Sequence, residues 1–250
     1  MTAPDRWQFL RQHTDARIAL GRSGNALPTD EVLAFQLAHA QARDAVHGSM
    51  DVDVLRQQLV DAGVSLPVEL VASRAHNREA FLQRPDLGRQ LDADAVLSAR
   101  DSCDVVFVLG DGLSARAVME NGVATLAATL AHLDGWDVGP VVIAQQARVA
   151  LADPIGEAIG AKLAVMLIGE RPGLSAADSL GAYLTYGPRV GRQNADRNCV
   201  SNIRDKGLTP ENAGHKIAYL LGRARALGLT GVALKDDAPL QVANAKPADG

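Results

Sequence analysis

The stretch Gly169–Gly173, GERPG, sets Glu170 and Arg171 between two apolar runs, LAVMLI before it and AYLTYG beyond it. A solvent-facing turn needs only Gly, Pro, Asn or Ser. Charge at the carboxyl end of a strand, by contrast, falls where open α/β sheets place ligands. The plain alternative is a Glu170–Arg171 surface pair, which contributes little. Two further loops are expected at the same edge. AQQARVALADPIG follows the run Val141–Ala144, and YGPRVGRQNADRNCVSNIR carries Arg189, Arg192, Arg197, Cys199, Ser201 and Asn202 beyond another strand-like run. Loops at the carboxyl ends of parallel strands meet on one side of a sheet. Their acceptors, amides, guanidinium groups and small apolar side chains suit a large ligand with many amide groups, or a partner protein. A small substrate needing an acid and a base fits them less well.

Other patterns with chemical potential are weaker. VLGDGLSARAV holds Gly110, Gly112 and Ala115, a G-x-G-x-x-A between a strand and a helix. In a dinucleotide fold such glycines admit a pyrophosphate at the helix N-terminus, and an acid ending the next strand holds the ribose. Here that strand ends in Gln145 and Gln146. A tight turn in which Asp111 and Ser114 cap the helix is therefore favoured over a nicotinamide site. Ser114 lies outside any G-x-S-x-G elbow. His13, His39, His47, His76, His132 and His215 form no H-x-x-x-H pair and no cluster with cysteine. No catalytic residue and no metal ligand is assigned.

The elements that must position these loops are readable from periodicity. LPTDEVLAFQLAHAQARDAVHG opens at Pro28 with Thr29 as a candidate N-cap and stops at Gly48. Val32, Phe35, Ala38 (or His39), Ala42 and Val46 fall on one face of that helix. DVDVLRQQLVDAG reads as a second helix, PVELVASRA as a short strand, and NREAFLQRPDLGRQLDADAVLSAR as helices interrupted at Pro85. The texture changes at Cys103. CDVVFVL, PVVIAQQ, LAVMLIG, AYLTYG and GVALK read as strands. They alternate with helical ARAVMENGVATLAATLAHL, DPIGEAIGAK and TPENAGHKIAYLLGRARALG. That alternation predicts an α/β protein with a mainly parallel sheet and helices on both faces. The small, polar tail after Asp236 is expected to fray.

Composition narrows the function classes. The 250 residues suffice for one large domain or two small ones. Hydrophobic residues make up 47% and charged ones 22%, as in ordinary globular proteins. A net charge of −4 and aromatics at 4% argue against nucleic-acid binding. With Cys103 and Cys199 alone, a disulfide framework and a cysteine-rich zinc site are excluded. The N-terminus lacks the apolar core of a secretory signal, and no segment has the length to span a bilayer. The expected compartment is the cytoplasm.

Several blocks are similar, in order from about Arg17 to Lys235, to one known family. RIALGRSG, FQLAHAQARDAVH, RPDLGRQL, DGLSA, RVALADPIGEAIGAK, IGERPGLSAADSLGAYLTYGPR and DRNCVSNIR resemble the small subunit of ethanolamine ammonia-lyase. GERPGL and CxSNI are its specific blocks; the longer N-terminal extension of some relatives is missing. The resemblance implies a heteromeric, adenosylcobalamin-dependent lyase that converts ethanolamine to acetaldehyde and ammonia. It implies that the large subunit is a (β/α)₈ barrel holding the substrate, where an adenosyl radical from cobalt–carbon homolysis abstracts hydrogen. Beside the region over 1–100 that the residues themselves make mostly helical, it implies a Rossmann-like domain over 101–250 that completes the cobalamin site at the subunit interface. Val149, Glu170 and Cys199 match the small-subunit positions that contact cobalamin in that family. On that basis Glu170 accepts hydrogen bonds from amide or hydroxyl groups of the cofactor, Val149 supplies apolar contact, and Cys199 is a small packing group. A bacterial microcompartment is the alternative location. A stand-alone dehydrogenase using GDGLSA and an adaptor that never touches the cofactor are the rival readings.

Overall fold

The computed structural model describes residues 5–237. The tail from 238 onward, expected to fray, lies outside the described residues. In chain order the elements are α1 (Thr29–His47), α2 (Val52–Asp61), β1 (Val68–Ala72), α3 (Arg78–Gln83), β2 (Cys103–Gly110) and α4 (Ala115–Leu130). There follow β3 (Val138–Gln145), α5 (Ala152–Ile159), β4 (Ala161–Gly169), β5 (Leu180–Tyr186), β6 (Arg197–Ile203) and α6 (Pro210–Leu227).

Strand side chains alternate between two apolar layers, as a period of two demands. Val105, Phe107 and Leu109 of β2 join Leu163, Val165 and Leu167 of β4 beneath α4 and α6. Val106 and Val108 join Ala164, Met166 and Ile168 beneath α5. Helices thus cover both faces, and the α/β class holds. Local signals set the helix ends. Ser114 caps α4 by accepting from the Ala117 N–H, while Thr209 caps α6 ahead of Pro210. Gly160 ends α5 with φ of +82°.

The strand order is β1-β3-β2-β4-β5-β6. The first four in that order run parallel, but β5 and β6 are antiparallel to their neighbours. The sheet is therefore mixed, not the mainly parallel, Rossmann-like sheet expected throughout. The reason lies in the connections: a parallel pair needs a crossover of a dozen or more residues, usually helical. The segments 170–179 and 187–196 are too short for that. One consequence matters for the site. Gly169 pairs with Leu180 and Leu163 with Tyr186, so β5 ends at the sheet edge opposite Gly169. The loop after β5 starts there, and does not join the other two by following a parallel strand.

Three local expectations are also corrected. GVALK forms no strand: Gly231 turns at φ of +88°, and a Cβ there would overlap the Ala195 carbonyl. Beyond Pro85 the expected helix shrinks to a 3₁₀ turn at Leu87–Arg89. Thr29 is the first helical residue of α1 rather than its cap, and Phe35 stays 45% exposed while Ala38 and Ala45 carry the buried contact. No helix among the described residues is long and apolar enough to cross a membrane.

Candidate functional site

The site begins where β2, β3 and β4 end. Asp111, straight after β2, is buried and accepts from the backbone N–H of Gln146 (2.9 Å) and of Ala147 (2.8 Å). It therefore ties the β2 turn to the chain leaving β3 and does not cap α4. Burial pushes its carboxyl above the usual range, against those N–H donors and Arg78 at 3.5 Å. Gln146 adopts φ of +53°, which a non-glycine residue holds only under tertiary constraint. The constraint is visible: its N–H is pinned by Asp111, and its carbonyl accepts from the Ser73 hydroxyl at 2.7 Å. The chain then makes a 3₁₀ turn at Val149–Leu151 and enters α5.

The β4 end is packed just as tightly. A Cβ on Gly112 would overlap the Gly169 carbonyl, and one on Gly169 would overlap the Ser114 carbonyl. The Leu113 N–H donates to Gly169 O at 3.0 Å. Gly112, the second glycine of the G-x-G-x-x-A stretch, thus accommodates the protein's own GERPG loop, leaving the dehydrogenase reading without its pyrophosphate turn. Glu170, next in line, has its backbone N–H bound to Ser179 O (2.9 Å) and its Oε2 bound by the Ser179 hydroxyl (2.5 Å). The Asn202 N–H approaches the same oxygen at 3.4 Å. Asn202 sits at φ of +56°, a conformation asparagine tolerates better than most residues.

Together these loops enclose an open cavity of about 460 Å³, lined on its charged side by Arg148, Glu170 and Arg171 and on its apolar side by Leu113, Val149 and Ile168. Val149 and Glu170 are therefore brought together. Cys199 does not line the cavity. It stands on β6 beside Tyr183, its register partner, and Tyr183 completes the wall. Burial, with the Cys199 thiol and the Glu170 carboxylate beside it, pushes the Tyr183 phenol well above its ordinary range. Cys199 reaches the surface as a residue, yet burial of its sulfur raises the thiol too, with Glu170 adding to the rise and Tyr183 opposing it. Such a thiol stays protonated near neutrality. Alkylation of Cys199 by iodoacetamide should therefore accelerate only above the pH at which a free thiol reacts; fast labelling at neutral pH, mapped by mass spectrometry, would refute this. Packing against Tyr183 also implies that Cys199→Ala keeps more function than Cys199→Trp, because overpacking displaces neighbours.

The third loop differs from expectation in what its arginines do. Arg192 donates to the carbonyls of Gly187 (2.9 Å) and Tyr186 (2.8 Å). Arg197 makes a bidentate bridge to Asp153, both bonds at 2.6 Å, and donates to the Thr185 hydroxyl at 2.7 Å. The buried Arg197 guanidinium is thus committed to the fold, and Arg192 spends Nε and Nη2 on the backbone. Sequence reasoning did not find Ser179, Tyr183 or Asp153, since an uncharged or helix-borne residue carries no local mark of a partner across the sheet. Among the described residues no three His, Cys, Asp or Glu side chains could share a metal ion.

Fold and cavity define a mixed-sheet α/β protein with an open cleft at the carboxyl ends of its parallel strands. The model of the ethanolamine ammonia-lyase light chain (EutC) family matches residues 4–235. The chain belongs to that family. It is 49% identical over 246 residues to the ethanolamine ammonia-lyase small subunit of Pseudomonas putida KT2440, covering 95% of this chain and 90% of the relative. The small subunit of Azotobacter vinelandii DJ is 48% identical over 241 residues, 93% of this chain and 88% of its own length. That of Xanthomonas campestris pv. campestris is 49% identical over 243 residues, covering 94% and 89%.

Proposed function

We propose that this chain is the small subunit of an adenosylcobalamin-dependent ethanolamine ammonia-lyase and completes the cofactor site against a large catalytic subunit. The observation that carries the reading is the cavity itself. Val149, Glu170 and Tyr183 all line it, Cys199 stands behind as the register partner of Tyr183, and the volume is that of a drug-sized ligand pocket. A corrin with its side chains is too large for it, so this chain supplies one wall and a partner the other. The residues fit the group: Leu113, Val149 and Ile168 offer apolar contact and Glu170 accepts from amide or hydroxyl donors. When bound, adenosylcobalamin supplies the radical chemistry that converts ethanolamine to acetaldehyde and ammonia.

The division of labour follows from what the residues can do. Val149 and Tyr183 exclude water from the wall. Glu170 orients donors, its own carboxylate oriented by Ser179. The cavity lining holds no acid–base pair for proton transfer to substrate, so ethanolamine binds in the large subunit. Purified alone, the chain should deaminate no ethanolamine; co-purified with an ethanolamine ammonia-lyase large subunit and given adenosylcobalamin, it should support turnover. Activity of the isolated chain would overturn the assignment.

A further inference from the structure

Each of the two positions proposed to face the cofactor in this cavity is flanked by an arginine: Arg148 precedes Val149, and Arg171 follows Glu170. Both arginines line the cavity. Among the described residues neither joins an ion pair. Arg148 lies over the Phe81 ring at 4.2 Å from its centroid and donates through Nη2 to Phe81 O at 3.1 Å. Its Nε is buried without a partner. Arg78 stands over the same ring at 4.7 Å, and Asp111, 3.5 Å from Arg78, already serves two backbone donors. Burial and the charges of Arg78 and Arg89 depress the Arg148 guanidinium, opposed by Asp111 alone. Arg171 is exposed and has no hydrogen bond among the described residues. The lining as a whole carries two guanidinium groups and one carboxylate, Glu170, whose Oε2 accepts from the Ser179 hydroxyl and the Asn202 N–H.

From this we infer that Arg148 and Arg171 form a subsite for a monoanion, and, resting on the cofactor reading above, that the anion is the phosphodiester of the cobalamin nucleotide tail. The charge matches: the lining is positive by one, a phosphodiester carries one negative charge, and the other polar groups on the corrin periphery are uncharged amides. A planar guanidinium offers paired N–H donors to two phosphate oxygens, a geometry lysine cannot reproduce. Glu170 then serves the amides and the arginines serve the tail.

The test uses the complex of this chain with its large subunit and two probes, cyanocobalamin and dicyanocobinamide. The second keeps the corrin and its free amides but lacks the nucleotide and its phosphodiester. Binding is read by absorbance titration, without turnover. Arg148→Gln and Arg171→Gln should each weaken cyanocobalamin about tenfold and leave dicyanocobinamide unchanged, the size of a lost charged hydrogen bond. Arg171→Lys should restore only part of the loss. Because Arg171 is exposed, its variants test the inference even if Arg148→Gln fails to fold. Equal weakening of both probes would overturn the subsite, since the arginines would then serve the corrin or the cavity's shape. Unchanged binding of both would overturn it as well; weakened co-elution of the subunits in that case would assign the arginines to an acidic surface of the large subunit. Glu170→Ala separates this from the broader reading. It should weaken both probes, and if it weakens neither, the cofactor site itself is misplaced.

Discussion

Replacing Asp153 by alanine should destabilise the fold by about 3–5 kcal/mol, because it strands a buried guanidinium. Asp153 and Arg197 have side chains only 3% and 2% exposed, and their two parallel bonds are each 2.6 Å long. Thr185 and the Arg192 carbonyl take further donors, but Arg197 Nε has no partner, so nothing remains to absorb the charge once Asp153 is gone. The bridge spans the site from behind. Asp153 sits in the first turn of α5, just past Val149, and Arg197 opens the strand that carries Cys199. Loss of the pair should therefore loosen the wall as well as the fold. The double variant Asp153→Leu/Arg197→Met removes both charges and keeps the volume, and should recover most of the lost stability. Urea melts of the single and double variants decide the matter. A single variant within about 1 kcal/mol of the parent, the size of an ordinary surface pair, would show that the bridge holds nothing.

Glu170→Ala should raise the adenosylcobalamin requirement of the reconstituted complex by one to two decades, about 1.5–3 kcal/mol for a lost charged hydrogen bond. Part of the effect is direct, through the carboxylate. Part is indirect, because the Ser179 hydroxyl and the Asn202 N–H both point at Oε2 and would lose their acceptor. Glu170→Gln keeps one acceptor and the shape, so it should fall between the parent and the alanine variant. Ser179→Ala frees the carboxylate without removing it and should cost less than Glu170→Ala. On the proposed division of labour, which leaves the substrate to the large subunit, the ethanolamine KM should stay nearly constant in all three. Titrating cofactor at saturating ethanolamine, then ethanolamine at saturating cofactor, separates the two. Normal assembly with the parent's cofactor dependence in Glu170→Ala would reduce GERPG to a structural turn.

Much of this molecule is written locally. The apolar runs that become β2, β3 and β4 are recognisable because a strand buried on both faces must be apolar throughout, and all eight β2 residues are buried. Helix ends at Ser114 and Thr209–Pro210 are legible because capping is a contact between close neighbours in the chain. Glu170 draws notice because a charge beside a buried strand end has few structural excuses. The same residues also carry the family resemblance.

What the chain alone left open depends on partners far away in sequence. The direction of β5 and β6 is set by short connections and by which strand edge is free, neither of which appears in the composition of AYLTYG. Asp111 looks like a helix cap until folding brings Gln146 and Ala147 to it, 35 and 36 positions on. The glycines of GDGLSA look like a nucleotide cradle until Gly169 occupies the space that Gly112 clears. Arg197 looks available to a ligand until Asp153, 44 positions away, claims it. Patterns of apolarity and capping act over one or two turns, so sequence determines which segments form and where their ends lie. A charge or a glycine acquires its role only from the group that arrives against it, and that is decided by the packing of the whole sheet.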